Sequence, residues 1–279
     1  MTEVPVTDSP PAVAKNQTTY QTGDVVRHYA QLQRLQPGEA AILDELRSTI
    51  GDAQLKQWSM LDIGVGAGRT SKHFAPLMGH YWGIDYSAEM VAAAQQRFPQ
   101  WADDAAIRFT IGDARDLADV PDDSQDWVLF SFNGIDSVSE GDRNKVFESV
   151  VRVARSGAYF GFSSHNLTAF ERTLDVRRHL RWNPITTYVD LVMLGIVKVV
   201  NFPLDRQRLS DLGHMFIRDE SHNFRLKQYY IRPEAQLEQL QPWFTNIRVF
   251  SWKTGVELIT PEQRESCEDL WLYYFCQVR

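Results

Sequence analysis

The run LDIGVGAGR, from Leu61 to Arg69, constrains this chain more than any other stretch. A short apolar segment beginning at Ser59 reaches the acid Asp62, and Gly64, Gly66 and Gly68 follow at every second position. A loop without β-carbons lets backbone approach a ligand closely, and a helix starting there presents free N–H groups. The expected order is therefore a buried strand, a tight turn and a helix. The spacing is GxGxG, whereas the dinucleotide fingerprint is GxGxxG. Alone, such a turn fits a nucleotide cofactor or merely a tight corner.

The alternation continues along the chain. Apolar positions between Asp24 and Ile50 recur at helical spacing and break at Pro37-Gly38, which predicts two helices. Thr70–Met78 reads as the helix after the glycine loop, His80–Asp85 as a second strand, and Ser87 as the cap of the next helix. Ile107–Asp113 and Asp126–Phe132 are predicted strands, a helix capped by Asp142 follows, and Ala158–Ser164 is strand five. Ile247–Trp252 and Leu270–Val278 are two further strands with no clear helix between them, which suggests a terminal antiparallel pair. Near-continuous apolar strands alternating with amphipathic helices indicate an α/β fold, Rossmann-like, with a mostly parallel sheet covered on both faces.

Composition limits the function. With 279 residues, 43% hydrophobic and 23% charged, the chain has material for one large domain over 19–279 carrying an insertion. A net charge of −7 argues against a nucleic-acid partner, which requires a basic surface. Residues 1–18 are polar, with neither a basic start nor an apolar core, and read as a flexible tail rather than a secretory signal. Two cysteines, Cys267 and Cys276, are too few for a disulfide framework, which fits a cytoplasmic location. The longest apolar stretch, Ile185–Phe202, contains Asp190, Gly195 and Lys198. Central charges make a membrane span costly, so a lid helix or a homodimer contact is the preferred reading, with peripheral membrane contact as the alternative. This stretch belongs to an insertion over 167–245, placed after strand five, where inserted material can close over a ligand.

Two more acids complete a pattern. Asp85 ends strand two, where a carboxylate can accept both hydroxyls of a ribose, and Asp113 in GDARDL ends strand three. Together with the glycine loop these residues resemble the class I S-adenosylmethionine-dependent methyltransferase family, over about residues 58 to 166. The resemblance implies a seven-stranded sheet with an antiparallel last strand and S-adenosylmethionine as cofactor. It implies that Asp62 and the loop Gly64, Gly66, Gly68 hold the methionine part, and that Asp85 binds the ribose. It further implies Tyr86 and Met90 beside the adenine, Gly112, Asp113 and Ala114 at the adenine edge, and Phe132 in the pocket beside the methyl. Tyr29 stands where relatives often cover the cofactor.

Candidates for the acceptor side come from neighbouring strand ends. His165, in SSHN after strand five, is a candidate proton acceptor, and the competing reading is a hydrogen bond to a nearby loop. Asn133 and Asp136 follow strand four and are candidates for orienting a nitrogen; Asp136 equally suits a local cap. Asn166, Tyr229 and Tyr230 are candidate substrate contacts, with core packing expected for at least one tyrosine because adjacent extended residues face opposite sides. His214 and His222 match no familiar ligand spacing, so no metal is expected. The reading that follows is methyl transfer to a small molecule, at nitrogen in preference to oxygen. A nicotinamide-dependent oxidoreductase and a non-catalytic cofactor sensor are the competing classes.

Overall fold

The computed structural model describes residues 34–204, 206–220, 224 and 226–279. The polar tail, the first predicted helix with Tyr29, and His222 lie outside these residues. Among the described residues, nine strands form one sheet. They are β1 (Ser59–Ile63), β2 (His80–Asp85), β3 (Ile107–Ile111), β4 (Gln125–Phe130), β5 (Ala154–Asn166), β6 (His214–Ile217), β7 (Gln228–Ile231), β8 (Phe244–Ser251) and β9 (Trp271–Val278). The first five are parallel in the order β3-β2-β1-β4-β5. Strand β9 runs antiparallel along β5 from Tyr159 to His165, and β8 pairs antiparallel outside it. This is the expected seven-stranded path with its antiparallel end.

The insertion adds two strands that sequence reading treated as helical cover. His165 pairs with Trp271 on one side and Tyr230 on the other, so β7 takes up the edge of β5 that β4 vacates beyond Phe130↔Phe162. Strand β6 then pairs antiparallel with β7. The insertion also carries four helices among its described residues, α6 (Leu167–Thr173), α7 (Pro184–Val200), α8 (Arg206–Ser210) and α9 (Pro233–Leu240), counted after α1 (Pro37–Ile50), α2 (Asp52–Leu55), α3 (Ser71–Phe74), α4 (Ala88–Arg97) and α5 (Glu140–Val153).

The period-two alternation of the central strands feeds two cores. Leu61, Ile63, Val128 and Phe130 face α5, where Val146, Phe147 and Val150 pack with Phe160, Phe162 and Phe244. Met60, Trp127 and Leu129 face the other way, against Ile42 and Leu46 of α1 and against Phe74 and Phe98. A third cluster joins Leu167, Phe170, Leu194, Leu209 and Ile217 of the insertion to Tyr230. Among the described residues no helix is long and apolar enough to cross a membrane.

Three local expectations need correction. The helix after the glycine loop stops at Phe74 and continues as a 3₁₀ turn over Ala75–Leu77, since Pro76 lacks the N–H that an α-helix needs there. Helix α5 is capped by Ser139, whose Oγ accepts the Asp142 N–H at 3.1 Å, so Asp142 is the third helical residue and not the cap. Between β8 and β9 lies a helix, α10 (Pro261–Ser266), begun by a reciprocal capping box of Thr260 and Gln263.

Phe160 is fully buried with ring contacts to Phe147, Phe162 and Phe244. Phe160→Ala is expected to lower stability by about 3–5 kcal/mol, read as a fall in urea midpoint at constant slope.

Candidate active site

One cavity opens at the carboxyl ends of β1, β2 and β4, and the glycine loop forms its floor. Gly64 and Gly68 have φ of +64° and +77°, a left-handed backbone that favours glycine. A β-carbon would lie 2.9 Å from the Phe130 ring at Gly64 and 2.6 Å from Phe98 at Gly68, so both positions are closed to other residues. Gly64, Gly66, Val65 and Ala67 line the cavity, whereas Gly68 packs behind it.

Two buried carboxylates edge this floor. Asp62 accepts from Thr70 Oγ1 at 2.5 Å and from the Tyr81 hydroxyl, and burial pushes its carboxyl up to about 6. Asp85 accepts from Gly66 N–H and Ser87 N–H, each at 2.9 Å, which fastens the loop to β2. Burial raises the Asp85 carboxyl to about 6 as well. The Tyr86 N–H is a further backbone donor to this carboxylate, which lines the cavity. Tyr86, Met90, Gly112, Asp113 and Ala114 line the adjoining wall. Burial alone would raise the Asp113 carboxyl, but Arg115 outweighs it with bonds at 2.6 and 3.0 Å and holds it below the usual carboxylate range. Arg115 also lines the cavity and was not singled out from sequence.

Arg69 lines the cavity and meets Glu39 of α1 in a buried two-pronged pair, one prong at 2.5 Å. Glu39 also accepts from the Gln36 N–H at 2.7 Å and from Ser131 at the end of β4. Burial would raise the Glu39 carboxyl, yet Arg69 and these donors hold it below its ordinary value. The next residues, Phe132 and Asn133, both adopt left-handed φ, +57° and +61°. Such a conformation costs about 1–2 kcal/mol for a residue with a β-carbon. The Arg69 guanidinium lies 5.0 Å from the centroid of the Phe132 ring, and Ser163 Oγ accepts the Asn133 N–H at 2.8 Å.

The kinked backbone brings Asn133 to His165. Asp136 is fully buried and accepts four bonds: Arg143 Nη1 and Ser164 Oγ at 2.6 Å on one oxygen, His165 N–H and Nδ1 at 2.7 Å on the other. With a carboxylate on Nδ1, that nitrogen must donate, so neutral His165 carries its lone pair on Nε2. Nε2 faces the Asn133 amide at 3.3 Å, while Asn133 Oδ1 is buried with no partner among the described residues. Tyr230 stacks on the imidazole at 4.5 Å, and Trp271 meets it edge-on at 6.4 Å. Phe132 and Trp271 are also in edge contact. Trp271 was not anticipated; it sits opposite His165 because β9 runs antiparallel to β5.

Three expected acceptor contacts are placed elsewhere. Asp136 is enclosed by its four donors and reaches a substrate only through His165. Asn166 is buried: its oxygen caps α6 through Thr168 and Ala169, and its nitrogen donates to the Asp269 carbonyl, which leaves no group for a ligand. Tyr229 is buried away from His165, with its ring 4.4 Å from the Arg143 guanidinium and stacked on His214, and Tyr230 is buried as well.

Residues 60–157, which include the glycine loop, Asp85 and Asp113, match the family described as a methyltransferase domain. That match agrees with the resemblance to the class I S-adenosylmethionine-dependent methyltransferases carried by the glycine loop, Asp85 and Asp113. Among curated proteins it is 32% identical to ajmaline N-methyltransferase of Rauvolfia serpentina, over 64% of this chain and 64% of that protein, so it spans less than two thirds of that relative's length. Among solved structures, an S-adenosylmethionine-dependent methyltransferase of Mesorhizobium loti shares the fold at 16% identity and a TM-score of 0.55, over 86% of this chain and 99% of that one. The N-methyltransferase NodS of Bradyrhizobium japonicum, in complex with S-adenosyl-L-homocysteine, does so at 13% identity and 0.52, over 96% and 98%. The donor set fits the methyltransferase cofactor: two buried carboxylates, a loop with no β-carbons at Gly64, Gly66 and Gly68, and Asp113 with the Ala114 backbone on the far wall.

Glu39→Gln removes half of a buried pair, and a loss of about 3–5 kcal/mol in unfolding free energy is expected. Binding of S-adenosylhomocysteine should also follow pH. The Asp62 and Asp85 carboxyls titrate near 6 instead of 3.8. In that window the folded chain keeps protons the unfolded chain has lost, so unliganded stability falls as pH rises. A ribose that bonds ionised Asp85 reverses the sign for binding. Calorimetry should show affinity rising on the order of tenfold from pH 5 to 7, then levelling, with a flattened profile in Asp85→Asn.

Proposed function

We propose that this methyltransferase moves a methyl group from S-adenosylmethionine to a nitrogen of a small-molecule acceptor, with His165 as the proton acceptor. The observation that carries this reading is the Asp136–His165–Asn133 array at the carboxyl ends of β4 and β5. When bound, the cofactor supplies a sulfonium methyl already activated for in-line displacement. Asp62 and the Gly64–Gly68 loop would hold its methionine part, Asp85 its ribose, and the Asp113–Ala114 wall its adenine.

The chain's own residues then have two tasks. The first is orientation, which can remove about 7–11 kcal/mol from a bimolecular barrier. The second concerns the proton, since an amine that arrives as an ammonium has no lone pair to attack with. His165 Nε2 takes that proton, and Asp136 stabilises the imidazolium through Nδ1. The 3.3 Å contact to Asn133 is long enough for an acceptor N–H to displace. Asp136 is thus a positioning residue, and Arg143 and Ser164 fix its carboxylate in turn.

Nitrogen is favoured over oxygen by proton count. A hydroxyl carries one proton, which His165 would consume, leaving the buried Asn133 Oδ1 without a donor. A primary amine or an ammonium has a further N–H for that oxygen. The partly exposed Trp271 ring beside His165 suits a cationic amine. The identity to ajmaline N-methyltransferase supports the same reading. The helices and hairpin over 167–245 serve as the acceptor's cover.

The test is incubation of metabolite extracts with enzyme and isotopically labelled methyl donor, with mass spectrometry of the labelled product. Label on an amine is expected; label on a hydroxyl oxygen would refute the nitrogen assignment. With an accepted amine in hand, His165→Ala should lower kcat by about 10²–10⁴-fold and change the pH–rate profile. Cofactor affinity should be unaltered. An unchanged profile would return His165 to a packing role.

A further inference from the structure

Helix α7 is amphipathic in the wrong sense for a helix bathed in water. Its one buried residue is Leu194, and Asp190 and Lys198 stand four positions to either side of Leu194, on the same face. The charges therefore flank the inward side. The outward side carries Ile185, Val189, Val192, Ile196 and Val199, at spacings of four, three, four and three, with exposures from 38% to 75%. Tyr188 and Phe202 continue this face, and Trp182 precedes it, at 70%, 85% and 105% exposure. Those three rings alone leave on the order of 500 Å² of side chain uncovered, taking about 150–250 Å² for each. A stable dimer buries about 800 Å² per partner, which the aliphatic stripe brings within reach.

We infer that this face is covered by the same face of a second copy of this chain, with the two α7 helices crossing at a two-fold axis near Gly195. The alternating four–three repeat of β-branched residues is the seam that one helix offers another. Gly195 lies exposed beside the stripe, and a β-carbon there would have no atom within 4 Å, so a second backbone can approach closely. A two-fold contact of this type closes on itself and uses one patch twice. Charge disfavours a lipid surface. The chain carries −7, and the nearby Arg177, Arg178 and Arg181 are already paired with Asp175, Glu268 and Asp190.

Sedimentation velocity of the full chain at micromolar concentration tests the inference. A species of twice the chain mass is expected, and Val192→Asp combined with Ile196→Lys should yield the single-chain mass. That variant should keep its far-ultraviolet circular dichroism and its affinity for S-adenosylhomocysteine, since α7 contributes nothing to the cofactor cavity. Gly195→Cys in a Cys267→Ser background should cross-link copy to copy under mild oxidation, and the same change at Val256, an exposed residue remote from α7, should not. A wild-type chain that remains single, whether residues 1–33 or nothing covers the stripe, overturns the inference. So does a pair that survives the double substitution, or a wild-type chain that floats with anionic phosphatidylserine vesicles when the double variant does not.

Discussion

The buried pair of Arg69 and Glu39 holds three parts of the molecule in register. Arg69 closes the glycine loop, Glu39 lies in the first turn of α1, and Ser131 ends β4, so one carboxylate fixes the loop, the flanking helix and the strand between the two ligand regions. Such a pair gains little net stability over a well-packed apolar contact, because both charges are taken out of water. Its contribution is geometric. The Arg69 guanidinium beside Phe132 and the Tyr273 hydroxyl 3.0 Å from Ser131 extend the same constraint to the kinked backbone at Asn133 and to β9. The floor of the cofactor cavity and the approach to His165 are thereby set by one contact on the cavity's border.

A second buried charge plays the corresponding role further along the edge. Arg143 projects from α5 into the space between β5 and α9, where it donates to Asp136 Oδ1 and to Gln236 Oε1, both at 2.6 Å. Asp136 in turn satisfies Ser164 and both donors of His165. The imidazole tautomer is thus dictated from the protein interior, while the ring itself remains 12% exposed at the edge. Separation of a buried organiser from an accessible working group is what allows a carboxylate to act on the site without being open to water.

Most of the cofactor side was legible in sequence because each feature is local. Gly64, Gly66, Asp85 and Asp113 follow a strand within a few residues, and a buried parallel strand delivers its last residues to the carboxyl edge whatever the rest of the chain does. The acceptor side was read less well, because its residues meet across long separations. Glu39 and Ser131 are 92 positions apart, and Trp271 reaches His165 only through the antiparallel pairing of β9. Asn166 and Asn133 illustrate the same limit: both are amides just beyond strand ends, yet one is consumed by capping α6 and the other keeps a bare oxygen. Tyr229 and Tyr230 were expected to point to opposite sides, but which one would stack on His165 depended on a hairpin that nothing in the local pattern announced.

The hairpin also links recognition to chemistry. Strand β7 joins β5 through only two residue pairs, His165↔Tyr230 and Asn166↔Ile231. The imidazole proposed to receive the proton is therefore a seam residue between β5 and the inserted hairpin. If the hairpin sits poorly, the ring loses its stacking partner as well as its strand neighbour, and the base goes out of aim.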